Sequence, residues 1–470
     1  MPPPADPLPA PFTAEQVMAL APEAASAKAG RGLANARKWV SFGRNQEAVW
    51  GECQGSGKKP YQTQVDLSGP AFRCSCPSRK FPCKHGLGLL LLLAAQPGLF
   101  TTGDAPPWVT DWLAGRAQRA QRRASSSETK APDAKAQARR KADRESKVAA
   151  GVEELELWLR DLVRRGLASA QERPARFWES IAARMVDAQA PGLARLLRNL
   201  SGLPASGISA SGLDWQERLA ERLGRIHLLL EAYHCLDSLP PETQADVRDL
   251  IGWTQNQDEL LSAAGAHALR PQGVSKGRWL VLAQRVETED RLRAQRTWLW
   301  NEAAQQAALV LSFAAFGQGL DTGLLPGTAF DTELAYYPSA YPLRVLVKQR
   351  QAAQPLDRER PLGREASLWD GWSGYAGLDA AHAAYSAALA RHPWLEQFPV
   401  PLRAVTPVLS ADRWWIRDAD GRAWPLATHF NRGWELLALS GGHPIVLFGE
   451  WDGEHLLPLS VWVEGRFVML

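Results

Sequence analysis

The chain has 470 residues, of which 45% are hydrophobic and 22% charged, and it carries a net charge of +4. That length exceeds one ordinary core and points to two or three domains of a soluble globular protein. A membrane-spanning helix is excluded, because the most apolar run, Leu87 to Ala95, is about half of the ~20 residues that a span requires.

The start, Met1-Pro2-Pro3-Pro4-Ala5-Asp6, has neither a basic nor an apolar leader segment, so no secretion signal is expected. Residues 1–37 read as a Pro- and Ala-rich tail with one short helix, which Thr13 caps and Gln16 completes as a capping box. Strands are predicted at 38–42, 48–53 and 61–66, the last two joined by a turn rich in Gly and Lys. A cysteine cluster follows, then an apolar helix from about 86 to 95, stopped by Pro97-Gly98.

Residues 101–150 read as a basic linker, either disordered or a solvated helix. Between 116 and 147, eleven basic residues face four acidic ones, a net +7 that leaves −3 for the rest of the chain. Attraction to polyanions is therefore local. Residues 151–270 form a helical domain, with Val152, Leu155, Leu159, Leu162 and Val163 at helical spacing and Gly166 as a stop. Further helices are expected at 174–189, 191–200, 213–236 and 241–263, with a Gly/Ser-rich loop at 201–212.

Residues 271–470 read as a β-rich α+β domain. Twelve of the 20 tryptophans lie here, and most are expected in the core. Strands are predicted at 278–282, 297–300, 308–311, 444–448 and 461–470, and a helix at 376–390. The turn Asp418-Ala419-Asp420-Gly421 between Arg413–Arg417 and Arg422–Leu426 signals a hairpin. No fixed-period repeat supports a propeller.

The most informative stretch is Cys74-Ser75-Cys76, six residues, then Cys83-Lys84-His85. Three of the five cysteines fall within ten residues, which points to a metal in a reducing compartment, with the cytoplasm as the expected location. Zinc takes four thiolate or imidazole ligands in a tetrahedron. Pro77 and Pro82 bracket a loop long enough to return the chain, and Cys83 falls at a helix start, which favours thiolate. A filled tetrahedron leaves no open position for water, so the metal is structural.

The C-x-C-x6-C-x-H spacing, after a hairpin and before a helix, resembles the SWIM zinc finger, in the form found in bacterial SWIM zinc finger proteins. The similarity covers about residues 38–96, within a finger domain placed at 38–100. By matching position it puts the four zinc ligands on Cys74, Cys76, Cys83 and His85. It implies an α+β multidomain protein with Zn2+ as cofactor and a role in binding DNA, RNA or proteins. Bacterial members are often encoded beside MoxR-type AAA+ ATPases and von Willebrand A-domain proteins, which are the implied protein partners.

Lys58, Lys59, Arg73, Arg79, Lys80 and Lys84 surround the ligands, and Arg139, Arg140 and Lys141 lie in the basic stretch. These nine are the candidate contacts to nucleic acid or a partner. Solubilising lysines and a metal-covering Phe72 and Phe81 are the competing account. No P-loop occurs, Gly207-Ile208-Ser209-Ala210-Ser211 misses a nucleophile elbow, and His227, Glu231 and His234 lack the zinc-protease order. The sequence is therefore read as a non-enzymatic binding protein. A protein-only adaptor for an AAA+ ATPase, and an enzyme with an unrecognised site in the C-terminal domain, remain as alternatives.

Overall fold

The computed structural model describes residues 12–55, 59–67, 70–78, 80–125, 134–203, 215–253, 255, 260, 276–289, 292–315, 320–350, 354–355 and 374–470. It is a mixed α and β molecule with a finger, a helical domain and C-terminal β-sheets.

The finger begins with two helices where the sequence signals one. Helix α1 spans Ala14–Ala19 and carries the expected Thr13/Gln16 capping box; α2 spans Ala24–Arg31. Strands β1 (Trp39–Arg44), β2 (Ala48–Cys53), β3 (Tyr61–Asp66) and β4 (Ala71–Cys74) form an antiparallel sheet, and β5 (Thr101–Thr102) adds to β1 in parallel. Helix α3 (Lys84–Ala95) lies against this sheet with every leucine buried. A helix apolar on all sides must be covered on all sides. The cover comes from the sheet, from Val17 and Leu20 of the α1 segment, and from Leu325 far along the chain. Gly30 and Gly88 let α2 and α3 touch: a Cβ at Gly88 would meet the Leu33 Cβ at 2.6 Å.

The stretch read as a linker is largely two helices. Helix α4 (Pro107–Ser125) packs Val109 on Ala48 and Trp50 of the finger, and Arg116 reaches Asp66 at 3.2 Å. Helix α5 (Ala134–Arg164) runs straight across position 150. Its side chains are exposed from 138 to 143, and Val148 is already in the bundle core. The apolar stripe starts that late, so only the solvated first turns showed as a basic run. Helices α6 (Ala175–Asp187), α7 (Pro191–Arg198), α8 (Trp215–His234) and α9 (Pro241–Ile251) complete the bundle around Trp178, Leu193, Leu219 and Val247. Helix α9 ends twelve residues before the expected 263. Gly252 adopts φ +124°, a conformation that L side chains rarely take, and its N–H caps the Arg248 carbonyl. The loop expected at 201–212 falls mostly outside the described residues.

Strands β6 (Lys276–Glu289), β7 (Leu292–Asn301), β8 (Gln306–Ala315), β9 (Thr328–Tyr336) and β10 (Arg344–Arg350) follow, with β11 (Gln354–Pro355) on the edge of β9. Because β10 pairs with both β8 and β9, the five main strands close into a barrel filled by Trp279, Leu299, Val310, Phe330 and Tyr336. A second sheet comprises β12 (Phe398–Ser410), β13 (Arg413–Arg417), β14 (Ala423–Pro425), β15 (Ile445–Trp451), β16 (Leu456–Val463) and β17 (Arg466–Met469). Helices α10 (Leu378–Arg391) and α11 (Gly433–Ser440) accompany it.

The β13–β14 hairpin forms as the turn residues require. The single strand expected at 461–470 is instead a hairpin, turned at Glu464 and Gly465, both with positive φ. The sequence hid β12, because Pro399, Pro401 and Pro407 argue against a central strand. Around 401, among the described residues, Tyr375 meets the side away from β15 and donates its N–H to the Pro401 carbonyl. The sheet is fixed to the barrel by Glu450, 3% exposed, whose carboxylate accepts from Trp298 Nε1 at 2.6 Å and pairs with Arg285 and Arg296.

Candidate metal centre and its basic rim

Cys74 closes β4 opposite Thr63 of β3, so the sheet register places its sulfur. The chain leaves the sheet at Ser75, whose N–H donates to the Gln62 carbonyl and whose hydroxyl accepts from the Gln62 N–H. Cys76 follows on the far side of this anchor. Cys83 then caps the start of α3, and His85 is the second residue of that helix. The loop between, which includes the prolines seen in the sequence, folds back so that all four ligand atoms lie within 4.8 Å of one another.

The His85 Nδ1 faces the thiols, 3.7 Å from Cys74 Sγ and 4.0 Å from Cys83 Sγ. With Zn–S near 2.3 Å and Zn–N near 2.0 Å, a tetrahedron has S···N edges of about 3.5 Å. These two edges lie within about half an ångström of that figure. Three sulfurs and one imidazole nitrogen are also the donor set that zinc prefers, and the group fits zinc. The ring of His85 lies 5.1 Å from that of Tyr61, which fixes its tilt.

The electrostatics agree. The Cys83 thiol is pulled down to about 4, first by a hydrogen bond from Cys74, then by His85 and by the backbone N–H groups of Gly86 and His85. Cys74 is pushed up in return, because it holds the proton shared with Cys83, while Thr63, 3.2 Å away, favours its thiolate. Burial raises Cys76. A divalent ion takes the place of such shared protons and leaves all three sulfurs as thiolates.

Phe72 is buried beneath α3 and meets Phe81 edge-on at 6.0 Å. Phe81 itself is 42% exposed. The cover over the metal is thus only half hydrophobic core. Of the predicted rim residues, Lys59, Arg73, Lys80 and Lys84 are exposed around the knuckle, and Lys80 pairs with Glu23. Lys58 and Arg79 lie outside the described residues. Arg139, Arg140 and Lys141 are exposed on α5, a separate element.

Sequence reading missed three contributors. Thr63 touches Cys74 only because β3 and β4 pair in that register. Lys38, like Lys84, adds positive charge that opposes the upward push of burial on the Cys53 thiol. Asp66 ties α4 to the finger. None has a local motif that would reveal it. The helical histidines form no second centre: His227 pairs with Glu231 and His234 with Glu156. Among the described residues, Cys74, Cys76, Cys83 and His85 are the group placed to share a metal.

A closed Cys3His set joining a β-sheet to a helix N-terminus defines a structural zinc finger. Residues 61–94 match the SWIM zinc finger family, and residues 143–251 match the SWIM-associated four-helix bundle domain. The chain carries a SWIM zinc finger followed by that bundle. No curated protein and no solved structure matches it. None of the described helices is long and apolar enough to cross a membrane.

Proposed function

We propose that this protein is a non-enzymatic, cytoplasmic interaction protein whose zinc finger presents a basic rim to nucleic acid. The observation that carries the reading is the exposure of Lys59, Arg73 and Lys84 around the metal knuckle, together with a solvated helical run holding Arg139, Arg140 and Lys141. Cations on rigid elements meet phosphates without the entropy cost of ordering a loop. No base-reading helix pattern accompanies them, so recognition is of backbone charge rather than sequence.

The zinc ion supplies no chemistry beyond structure in this reading, because four protein ligands fill its shell. The half-exposed Phe81 beside the rim supports a protein partner as the second reading, including an AAA+ ATPase or a von Willebrand A-domain protein.

The test is binding of duplex DNA and RNA by the full chain across a salt series. Binding should weaken steeply with salt and be equal across sequences. Replacing Arg139, Arg140 and Lys141 by Ala should lower the log–log salt slope by about 2–3. Absence of retention on either nucleic acid, with a partner captured equally before and after nuclease, would establish the adaptor reading instead.

A further inference from the structure

The barrel closes in the order β6-β7-β8-β10-β9, with β8 and β10 parallel and the other neighbouring pairs antiparallel. Strand β6 serves two partners, β7 along 280–289 and β9 along 276–280. This is the connectivity of the OB barrel. In that fold the outer face of the second and third strands binds oligonucleotides or oligosaccharides, helped by the first–second and fourth–fifth loops. Here those strands are β7 and β8, and the fourth–fifth loop is 337–343.

Most of that face is already covered. Trp298, Trp300 and Leu309 pack against Phe448, Leu459 and Trp462 of the second sheet. One part stays open. Between the fourth–fifth loop, helices α7 and α9 of the bundle, and the segment 392–397, there is a cleft of about 180 Å³, which Arg296 of β7 and Leu309 of β8 also line. That is below the ~300–1,000 Å³ of sites for drug-sized ligands, and so admits one ring system. A second hollow, about 270 Å³, continues past Trp394 and Glu396 and is lined by Arg222 and Arg225.

We propose that this cleft receives one nucleotide unit, an unstacked base with its phosphate, from a single-stranded nucleic acid or a free mononucleotide. The half-buried Tyr341 lines it and offers ring surface, and the Arg344 guanidinium lies 4.1 Å over the buried Tyr337 ring, presenting its own planar face for stacking. At the floor is Asp246, 6% exposed, whose Oδ2 accepts the Ala340 N–H at 2.9 Å and so pins the loop to α9. The other oxygen stands 3.7 Å from His392 Nε2, and the buried His392 Nδ1 has no hydrogen-bond partner. Such a nitrogen is costly unless a partner arrives, and a base edge brings both donors and acceptors.

At the mouth, Arg195 holds Glu396 and Arg344 holds Asp249, but these side chains are a third to a half exposed. Exposed pairs are weak and exchange readily for a phosphate. Three arginines and three carboxylates line the cleft, so a phosphate is held by displacing Glu396 and Asp249 from Arg195 and Arg344, an exchange that a neutral sugar does not drive. Burial pushes the His392 imidazole down and Asp246 up, with each partner opposing the shift of the other.

The test titrates the full chain by calorimetry with the four 5′-mononucleotides, a six-nucleotide single strand and a neutral oligosaccharide. Ultraviolet cross-linking to the single strand, with peptide mapping, follows. Saturable binding is expected for the mononucleotides, the free form, and tighter binding for the strand if a strand is the natural ligand. Cross-links should fall in 337–344 or 392–397. R344Q and H392Q should each weaken binding about tenfold or more at unchanged melting temperature. If H392Q fails to fold, R344Q and the cross-link map decide.

This contact is separable from the finger. The variant lacking Arg139, Arg140 and Lys141 should bind duplex more weakly, with the lower salt slope, and keep mononucleotide binding unchanged. Binding of the oligosaccharide alone, no nucleotide binding at millimolar concentration, affinity unmoved by R344Q, or cross-links confined to the finger would each overturn the proposal.

Discussion

Cys83 is the N-cap residue of α3, and the backbone N–H groups of Gly86 and His85 help to pull its thiol down. It is therefore the ligand most committed to thiolate and the one that couples metal to helix. Structural zinc sites are worth roughly 10–16 kcal/mol of apparent binding energy. Cys83→Ser should reduce zinc from a full equivalent to a minor fraction, measured by atomic emission on the dialysed protein. Full retention would mean that the other three residues suffice. Gly88 is the matching steric position. Gly88→Ala would place a methyl 2.6 Å from the Leu33 Cβ and 3.3 Å from its carbonyl carbon. Overpacking of this kind costs about 1–3 kcal/mol, which thermal melting should register. An unchanged melt would show that α2 can slide.

Among the elements, the segment after α10 does the joining. Trp394 sits in the bundle core although it belongs to the chain leading into β12, and its indole N–H donates to the Arg225 carbonyl at 2.9 Å. Arg225 returns a bond to the Leu395 carbonyl. Trp394→Ala should cost about 3–5 kcal/mol and split thermal unfolding into separate bundle and β-sheet transitions. A single cooperative transition in the variant would assign the coupling to the Arg195–Glu396 pair and its neighbours. Helix α5 divides its length between two tasks. Its stripe from Val148 onward is core, while 138–143 is solvated. The periodicity from Val152 was legible because burial imposes it. The preceding turns were not, because nothing distinguishes an exposed basic helix from a disordered basic run in composition alone.

In the whole molecule the finger is not an independent bead. Gln16 donates to the Gly327 carbonyl, Leu325 enters the finger core, and Thr322 bonds the Pro70 carbonyl. Removing zinc with a chelator should therefore raise amide hydrogen exchange in β1–β4 and α3, and also in 322–328 of the barrel. Exchange confined to the finger would show that the two units are mechanically separate.

The ligand set was readable because a metal demands particular residue types at short separations. Likewise Thr13 with Gln16, and Asp418 to Gly421, dictate a cap and a turn within a few residues. What the sequence by itself determined is thus the chemistry that is local: four zinc ligands, the buried leucine helix, the amphipathic helices of the bundle and the β13–β14 hairpin. Only the tertiary structure decided that β10 closes a barrel by pairing with β8, that a second sheet covers the barrel's outer face, and that Asp246 and His392 meet across a cleft. Those contacts join residues as far as 165 positions apart, as Arg285 and Glu450 are. Register and closure at that range depend on the free energy of the whole assembled core, which no short stretch of residues encodes.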